Sequence, residues 1–168
     1  MKSYLIAAAV FLAAAGARAA ITFAGIPWNT PAQTVVSKLT AAGFTVAKKP
    51  DHGDYRFRGK LLNHDAAGVA IMSDGKVVRV FVMLAAPDDA ARETYEELRK
   101  VLIAKYGAPA KTVRSFEEPF HEGDGYEAEA IRSGKANFAT QWIDGGEALV
   151  LNIASGKSLA LTYDSAAQ

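Results

Sequence analysis

The sequence predicts an α+β protein in which two helices pack on a meandering antiparallel sheet. Two amphipathic helical patterns, a hairpin pattern from Gly68 to Leu84 and several further strand patterns joined by turns support this class. In the hairpin, Asp74-Gly75 separates two runs rich in Val, Ile, Phe and Met, as in a two-residue turn. The second run is apolar on both faces, which predicts a central strand in a sheet covered at least in part on both sides.

The first 19 residues have the composition of a cleaved signal peptide. Lys2 supplies a positive charge, Tyr4 to Ala15 is an apolar run, and Ala17-Arg18-Ala19 has the small residues that a signal peptidase requires. We expect cleavage after Ala19 and a periplasmic or secreted protein without a stable membrane anchor. A retained N-terminal anchor is the alternative, but the apolar run is shorter than the ~20 residues that span a bilayer.

Charge and cysteine content limit the classes of function. Loss of Lys2 and Arg18 with the signal leaves 17 basic and 18 acidic residues, so the net charge becomes −1. This balance provides no net field to attract nucleic acid, and we expect no nucleic-acid partner. The chain has no cysteine, which excludes disulfide bonds, thiol catalysis and thiolate metal sites.

The first helical pattern begins near Thr30 and ends at Gly43. Thr30 is the expected N-cap, Pro31 suits the first helical position, and Gln33 can close a capping box. Gly43 is the expected C-terminal glycine. The apolar residues of this helix are Val35, Val36, Leu39 and Ala42.

The second helical pattern is longer and starts at Pro87-Asp88-Asp89. It ends at Tyr106, because Gly107 and Pro109 follow. Its apolar residues recur at intervals of three and four and include Ala91, Tyr95, Leu98 and Leu102.

The strand patterns surround these helices. From Tyr55 to Leu61, aromatic and apolar residues alternate with Arg56, Arg58 and Lys60, which predicts a half-buried strand with a basic outer row. The remaining predicted strands are Phe44–Val46, Thr112–Phe116, Tyr126–Ile131, Asn137–Ile143, Ala148–Ile153 and Leu159–Tyr163.

The order of these elements suggests an internal duplication. A helix, a terminating glycine and several strands occur twice, with Gly43 and Gly107 at matching points. We therefore expect one α+β domain over residues 20–168, with pseudo-repeats at 20–86 and 87–164.

Two oppositely charged segments are candidate contact surfaces. One is the basic row Arg56, Arg58 and Lys60, and the other is an acidic loop from Glu117 to Gly125. The two patches either face each other or each present a surface to a charged partner, and a solvated strand face is the simplest explanation of the basic row. The candidate contact residues are Arg56, Arg58, Lys60, Glu117, Glu118 and His121.

The histidines provide a different hypothesis. His52, His64 and His121 each lie beside carboxylates in a predicted loop, a setting that suits a weak metal site or solvated side chains. Their spacing matches neither a zinc helix nor a calcium loop. A small-ligand or metal-binding protein, or a small hydrolase that uses these loops, is therefore the alternative function.

Motifs for nucleophilic catalysis and for nucleotide binding are missing from the sequence. No serine lies in a G-x-S-x-G elbow, and neither a P-loop nor a G-x-G-x-x-G motif is present. We therefore predict no enzymatic activity, no catalytic residues, no cofactor and no resident metal.

Two stretches resemble small exported bacterial modules. The first is Gly25-Ile26-Pro27-Trp28-Asn29-Thr30-Pro31, followed by Val35, Val36, Leu39 and Gly43. The second is YEELRKVLIAKYGAP from Tyr95 to Pro109, with Trp142 and Tyr163 downstream. The first stretch is similar to the start of the outer-membrane assembly lipoprotein BamE and of beta-lactamase inhibitory protein. The chain lacks the lipidation cysteine of the former and the disulfide cysteines of the latter.

This resemblance implies a non-catalytic α+β domain that binds a protein with one face of its sheet. Together with the signal peptide, it leads us to expect an exported, periplasmic or secreted protein. Its expected partner is another protein in the cell envelope or outside the cell.

Overall fold

The computed structural model describes residues 19–86, 90–155 and 158–165. Residues 1–18 of the predicted signal peptide, the start of the second helix at Pro87–Asp89 and the turn at Gly156-Lys157 lie outside the described residues. Among the described residues, no helix has the length and apolar character needed to span a membrane.

The chain folds as an α+β protein with one antiparallel sheet, as predicted. The helices are α1 (Ala32–Ala41), α2 (Ala91–Tyr106) and α3 (Glu127–Arg132). The strands are β1 (Thr45–Val46), β2 (Tyr55–Leu61), β3 (His64–Ser73), β4 (Lys76–Ala85), β5 (Lys111–Phe116), β6 (Ala136–Asp144), β7 (Glu147–Ser155) and β8 (Ser158–Asp164).

The eight strands lie in the order β1-β2-β3-β4-β8-β7-β6-β5. We call residues 19–86, with α1 and β1–β4, the first half, and residues 90–165, with α2, α3 and β5–β8, the second half. Each half places its first strand at an edge and its last strand in the centre, where Val82 of β4 lies opposite Leu161 of β8. The predicted duplication is a statement about the origin of this strand order, and it stays a prediction.

The predicted central hairpin is confirmed as the pair β3 and β4. Asp74 and Gly75 form its two-residue turn with φ of 49° and 73°. Positive φ at both central residues is the requirement of the turn type that matches the twist of the strands, and glycine adopts it without steric cost.

The helices cover one face of the sheet, and the core between them spans both halves. Over the first half, the rings of Phe23, Phe44 and Phe57 lie 5.2–5.5 Å apart between centroids. The ring of Phe57 rests on Gly68 of the neighbouring strand, where an added Cβ would lie 2.4 Å from Phe57 Cζ. A side chain at this position would therefore displace the ring.

The core of the second half contains a second aromatic group under α2. Phe138 of β6 contacts Tyr95 and Phe116, with both centroid distances at 5.7 Å. The Tyr95 hydroxyl and the Thr140 hydroxyl are 2.6 Å apart and share a buried hydrogen bond. This pairing satisfies both polar groups, which would otherwise be costly to bury.

The N-terminal segment before α1 is attached to the second half. The Ile21 N–H donates to a Glu147 carboxylate oxygen at 3.0 Å, and the Tyr106 hydroxyl donates to the Thr22 carbonyl at 3.3 Å. Ile21, Phe23 and Ile26 are at most 3% exposed. The chain therefore enters the core immediately after the predicted cleavage site.

Two local predictions are wrong. Residues 126–131 were expected to form a strand, but Glu127–Arg132 is the helix α3, so the protein has three helices in its described residues instead of two. Thr30 does not cap α1, because its hydroxyl donates to the Pro27 carbonyl at 2.6 Å and the helix start has no side-chain cap. The capping box with Gln33 is consequently not formed.

Candidate partner-binding face

The face of the sheet opposite the helices, which we call the open face, carries partly exposed apolar side chains. In β4, Val80 and Val82 point into the core and are 2% and 0% exposed. The alternating residues Phe81 and Met83 lie on the open face and are partly exposed. The second face of β4 is therefore covered only in part, which is within the cover that the sequence predicted.

Strand register defines two rows of side chains that cross the open face. One row consists of Arg56, Val69, Phe81, Thr162, Val150 and Gln141. The next row consists of Arg58, Ala67, Met83, Ala160, Asn152 and Ala139. Both rows carry an arginine at the first-half end and apolar side chains over β3 and β4. Over β8, β7 and β6 they are uncharged, and the first row ends at Lys111 of β5, opposite Gln141.

The first-half part of these rows forms a groove of about 710 Å³. Val69, Phe81 and Met83 provide its apolar floor, and residues 45–48 form the wall beside β2. This volume lies within the range of ~300–1,000 Å³ that is typical of ligand pockets. The groove is therefore large enough to hold several side chains of a partner.

The predicted basic row lies on the open face, and two of its three members are neutralised. Arg56 donates two hydrogen bonds to Asp51, at 2.7 and 3.1 Å. These bonds, followed by a hydrogen bond from His52, hold the pKa of Asp51 below its usual range. Lys60 forms an ion pair with Asp65 at 3.0 Å.

Arg58 is the third member and differs from its neighbours. It lies opposite Ala67 of β3 on one side and Thr45 of β1 on the other, and it lines the groove. Its side chain is exposed, and no described residue forms an ion pair or hydrogen bond with its guanidinium. Five hydrogen-bond donor positions are therefore presented to solvent beside an apolar floor.

The predicted acidic loop has an internal structure of its own. The Asp124 carboxylate accepts hydrogen bonds from the backbone N–H groups of His121 and Tyr126, at 2.8 and 2.7 Å, which lower its pKa. Arg114 donates to Glu122 at 2.8 Å, and this bond is the main cause of the raised pKa of Arg114. The side chains of Glu117, Glu118 and His121 are exposed.

The basic row and the acidic loop do not meet. The sheet order places five strands between β2 and β5, a separation of about 29 Å measured along the sheet. Arg114, which holds the acidic loop through Glu122, also pairs with Glu96 of α2 on the helix side. Of the two alternatives, the one in which the patches face each other within one chain is therefore excluded.

The three histidines have separate surroundings. His52 contacts the Asp51 carboxylate at 2.8 Å, His64 lies 3.9 Å from Glu97 of α2, and His121 belongs to the acidic loop. His64 is the first residue of β3 instead of a loop residue. Within the part of the chain that the structure describes, no group of three His, Cys, Asp or Glu residues could hold a metal ion.

Sequence reasoning identified the rim of the groove but missed its floor. The pattern of β4 predicted a central strand covered at least in part on both sides, and it did not identify Val69, Phe81 and Met83 as the floor of a groove. The same pattern could have indicated an exposed apolar surface, because only two substantial helices were predicted and these suffice to cover one face. Comparisons with protein-family models, with curated proteins and with solved structures find no match for this chain.

Proposed function

We propose that this protein is an exported, non-catalytic binding protein that engages a partner protein through the open face of its sheet. The observation that carries the proposal is the exposure of Phe81, Met83 and Val69 next to an unpaired arginine. Contiguous exposed apolar surface rimmed by polar residues marks interaction sites in soluble proteins. The signal-peptide pattern supports export, and the missing catalytic motifs support a role without chemistry.

The proposal concerns only some of the predicted contact residues. Arg56, Arg58 and Lys60 share the open face with the groove, whereas Glu117, Glu118 and His121 lie in a loop at the far edge of the sheet. We therefore assign the partner-binding role to the groove and the basic row. The alternative of a histidine and carboxylate site would require at least two histidines to share one pocket, and no observation here favours it.

Site-specific photo-crosslinking tests this proposal. Met83 is replaced by the photoreactive p-benzoyl-phenylalanine, and the protein is irradiated in an envelope extract of the producing cells. The matched control carries the same residue at Ser37, which is exposed on α1 on the helix side. We expect a discrete protein adduct from position 83 that excess unlabelled protein suppresses, and no such adduct from position 37. Equal labelling from both positions, or none from position 83, would contradict the proposal.

A further inference from the structure

The charged side chains that line the groove are all positive. Lys48, Arg56 and Arg58 line it, and Asp51 is the only carboxylate bound to any of them among the described residues. The exported chain as a whole is close to neutral, so this positive charge is local to the groove. An occupant with negative charge would be complementary to this rim and would associate faster at low ionic strength.

Arg58 is suited to bind a carboxylate. Its guanidinium can donate two parallel hydrogen bonds to one carboxylate, and it has no partner among the described residues to be displaced first. Arg56 is already held by Asp51 through two hydrogen bonds. A carboxylate at the rim of the groove can therefore bind Arg58, whereas Arg56 is already paired.

The shape of the groove favours an extended segment over a small molecule. Its lining comes from β1 to β4 and residues 47–48, and no residue of β8 closes the opposite side. Beyond Phe81 and Met83, the open face continues over the smaller side chains of Thr162 and Ala160. A small amphiphile needs enclosure to bury most of its surface, whereas a protein surface can itself exclude water from an open groove.

We infer that the groove binds an acidic segment of a partner protein, with an apolar side chain of that segment on Phe81 and Met83 and a carboxylate on Arg58. This inference rests on the proposed function, since it takes the occupant to be a protein. It specifies the chemistry of that protein: carboxylates adjacent to an aromatic or aliphatic residue.

The test uses three short synthetic peptides and the isotope-labelled protein in NMR titrations. The first peptide has a central Phe flanked by Asp and Glu, the second has Lys at each acidic position, and the third has Gly in place of Phe. We expect the acidic Phe peptide to shift the amide signals of Val69, Phe81 and Met83. We also expect it to bind about tenfold more tightly than either of the other two peptides.

A charge reversal provides the matched comparison. Arg58→Glu should weaken the acidic peptide by about tenfold and make the basic peptide the tighter ligand, because an attraction becomes a repulsion. Lys111→Glu makes the same charge change on the open face at the far edge, opposite Gln141. This control should change either affinity by less than about twofold.

Several results would overturn the inference. One is equal binding of the acidic and basic peptides, and another is a set of shifted amides away from the groove. A third is dodecanoate binding in the groove with no peptide binding, which would indicate a lipid-like anion as the occupant. A fourth is self-association of the protein that Arg58→Glu abolishes, which would indicate a second copy.

The outcome is separable from that of the proposed function. If crosslinking from position 83 captures a protein but the acidic peptide does not bind, a protein occupies the face and its chemistry is not the one inferred here. If the acidic peptide binds in the groove but position 83 yields no adduct, the chemistry of the groove is as inferred and the proposed function fails.

Discussion

The two halves of the molecule have the same order along the sheet but present different surfaces on the open face. In the first half, the rows that cross this face contain Val69, Phe81 and Met83 beside arginines. In the second half, the first row continues through Val150 and Gln141 to Lys111, and the second row consists of small or uncharged residues such as Asn152. On the helix side, both halves bury an aromatic group.

This difference separates what the fold requires from what it leaves open. Both halves bury large apolar side chains between their helices and the sheet, and in both halves these include aromatic rings. The side chains of the open face do not have to fill this core, because the helices pack on the opposite face of the sheet. The groove with its apolar floor and arginines lies on the first half of this face, and this difference supports the proposed function. Four experiments can challenge or refine the contrast.

The largest effect is expected in the first half at Gly68. Gly68→Val would place side-chain atoms against the Phe57 ring, which lies within 2.4 Å of an added Cβ. We expect a loss of about 3 kcal/mol in the free energy of unfolding, measured by urea denaturation. The control is Ala67→Val, one residue earlier and on the open face, which should change stability by less than about 0.5 kcal/mol. Equal effects of the two substitutions would show that the two faces are wrongly assigned.

The next effect concerns the junction of the halves, where Tyr106 and Tyr163 are buried. Burial raises the pKa of Tyr106 from 10.0 to about 12, and it raises that of Tyr163 well above its usual value. The unfolded chain therefore loses its tyrosine protons at lower pH than the folded protein does. Stability should be fully present below pH 10 and should fall as the pH rises through 12, with a contribution from Tyr106 of about 2–3 kcal/mol.

Urea denaturation across this pH range measures the decline. The control is Tyr106→Phe, which removes one of the buried tyrosines whose pKa is raised and should make the decline shallower. The same slope in both proteins would mean that Tyr106 ionises equally in the folded and unfolded states.

A smaller effect is expected from the hydrogen bond in the core of the second half. Tyr95→Phe removes the partner of the Thr140 hydroxyl, which is 0% exposed. The free energy of unfolding should fall by about 1–2 kcal/mol, because a buried hydroxyl is left unsatisfied. Thr140→Val and the double variant complete a mutant cycle. The double variant should lose less than the sum of the two single losses, and strict additivity would contradict direct pairing.

The smallest effect on stability is expected from the charges of the open face. Arg58→Glu in the first half and Lys111→Glu in the second half should each change the free energy of unfolding by less than about 0.5 kcal/mol. Thermal denaturation measures both variants. A large loss for Arg58→Glu alone would mean that this arginine serves the fold, and the contrast between the halves would then need another explanation.

Much of the fold could be predicted from sequence because local signals and tertiary packing agree. The Asp74-Gly75 hairpin, the strand from Tyr55 to Leu61 and the helix ending at Tyr106 are all found where the pattern places them. The segment that forms α3 was expected to be a strand, although it consists mainly of Glu and Ala residues. Both are strong helix formers, and the adjacent residues Ala130 and Ile131 are both buried, as a helix allows and alternation does not.

The candidate site could be predicted only in part. Arg56, Arg58 and Lys60 were identifiable because charges at every second position predict an exposed strand face. The pairing of Arg56 with Asp51 could not be read from the sequence, since it depends on how the turn at residues 51–54 folds back on β2. Periodicity also does not indicate whether the second apolar face of β4 is covered, which depends on where the helices pack.

The hydrogen bond between Ile21 and Glu147 joins residues that are 126 positions apart in the chain. The central strand pair β4 and β8 likewise joins the two halves. Contacts between such distant positions close long loops, and the entropy lost in closing them slows folding. A growing polypeptide that ends before β8 lacks the central strand pair, so the stable sheet can form only when nearly the whole chain is available.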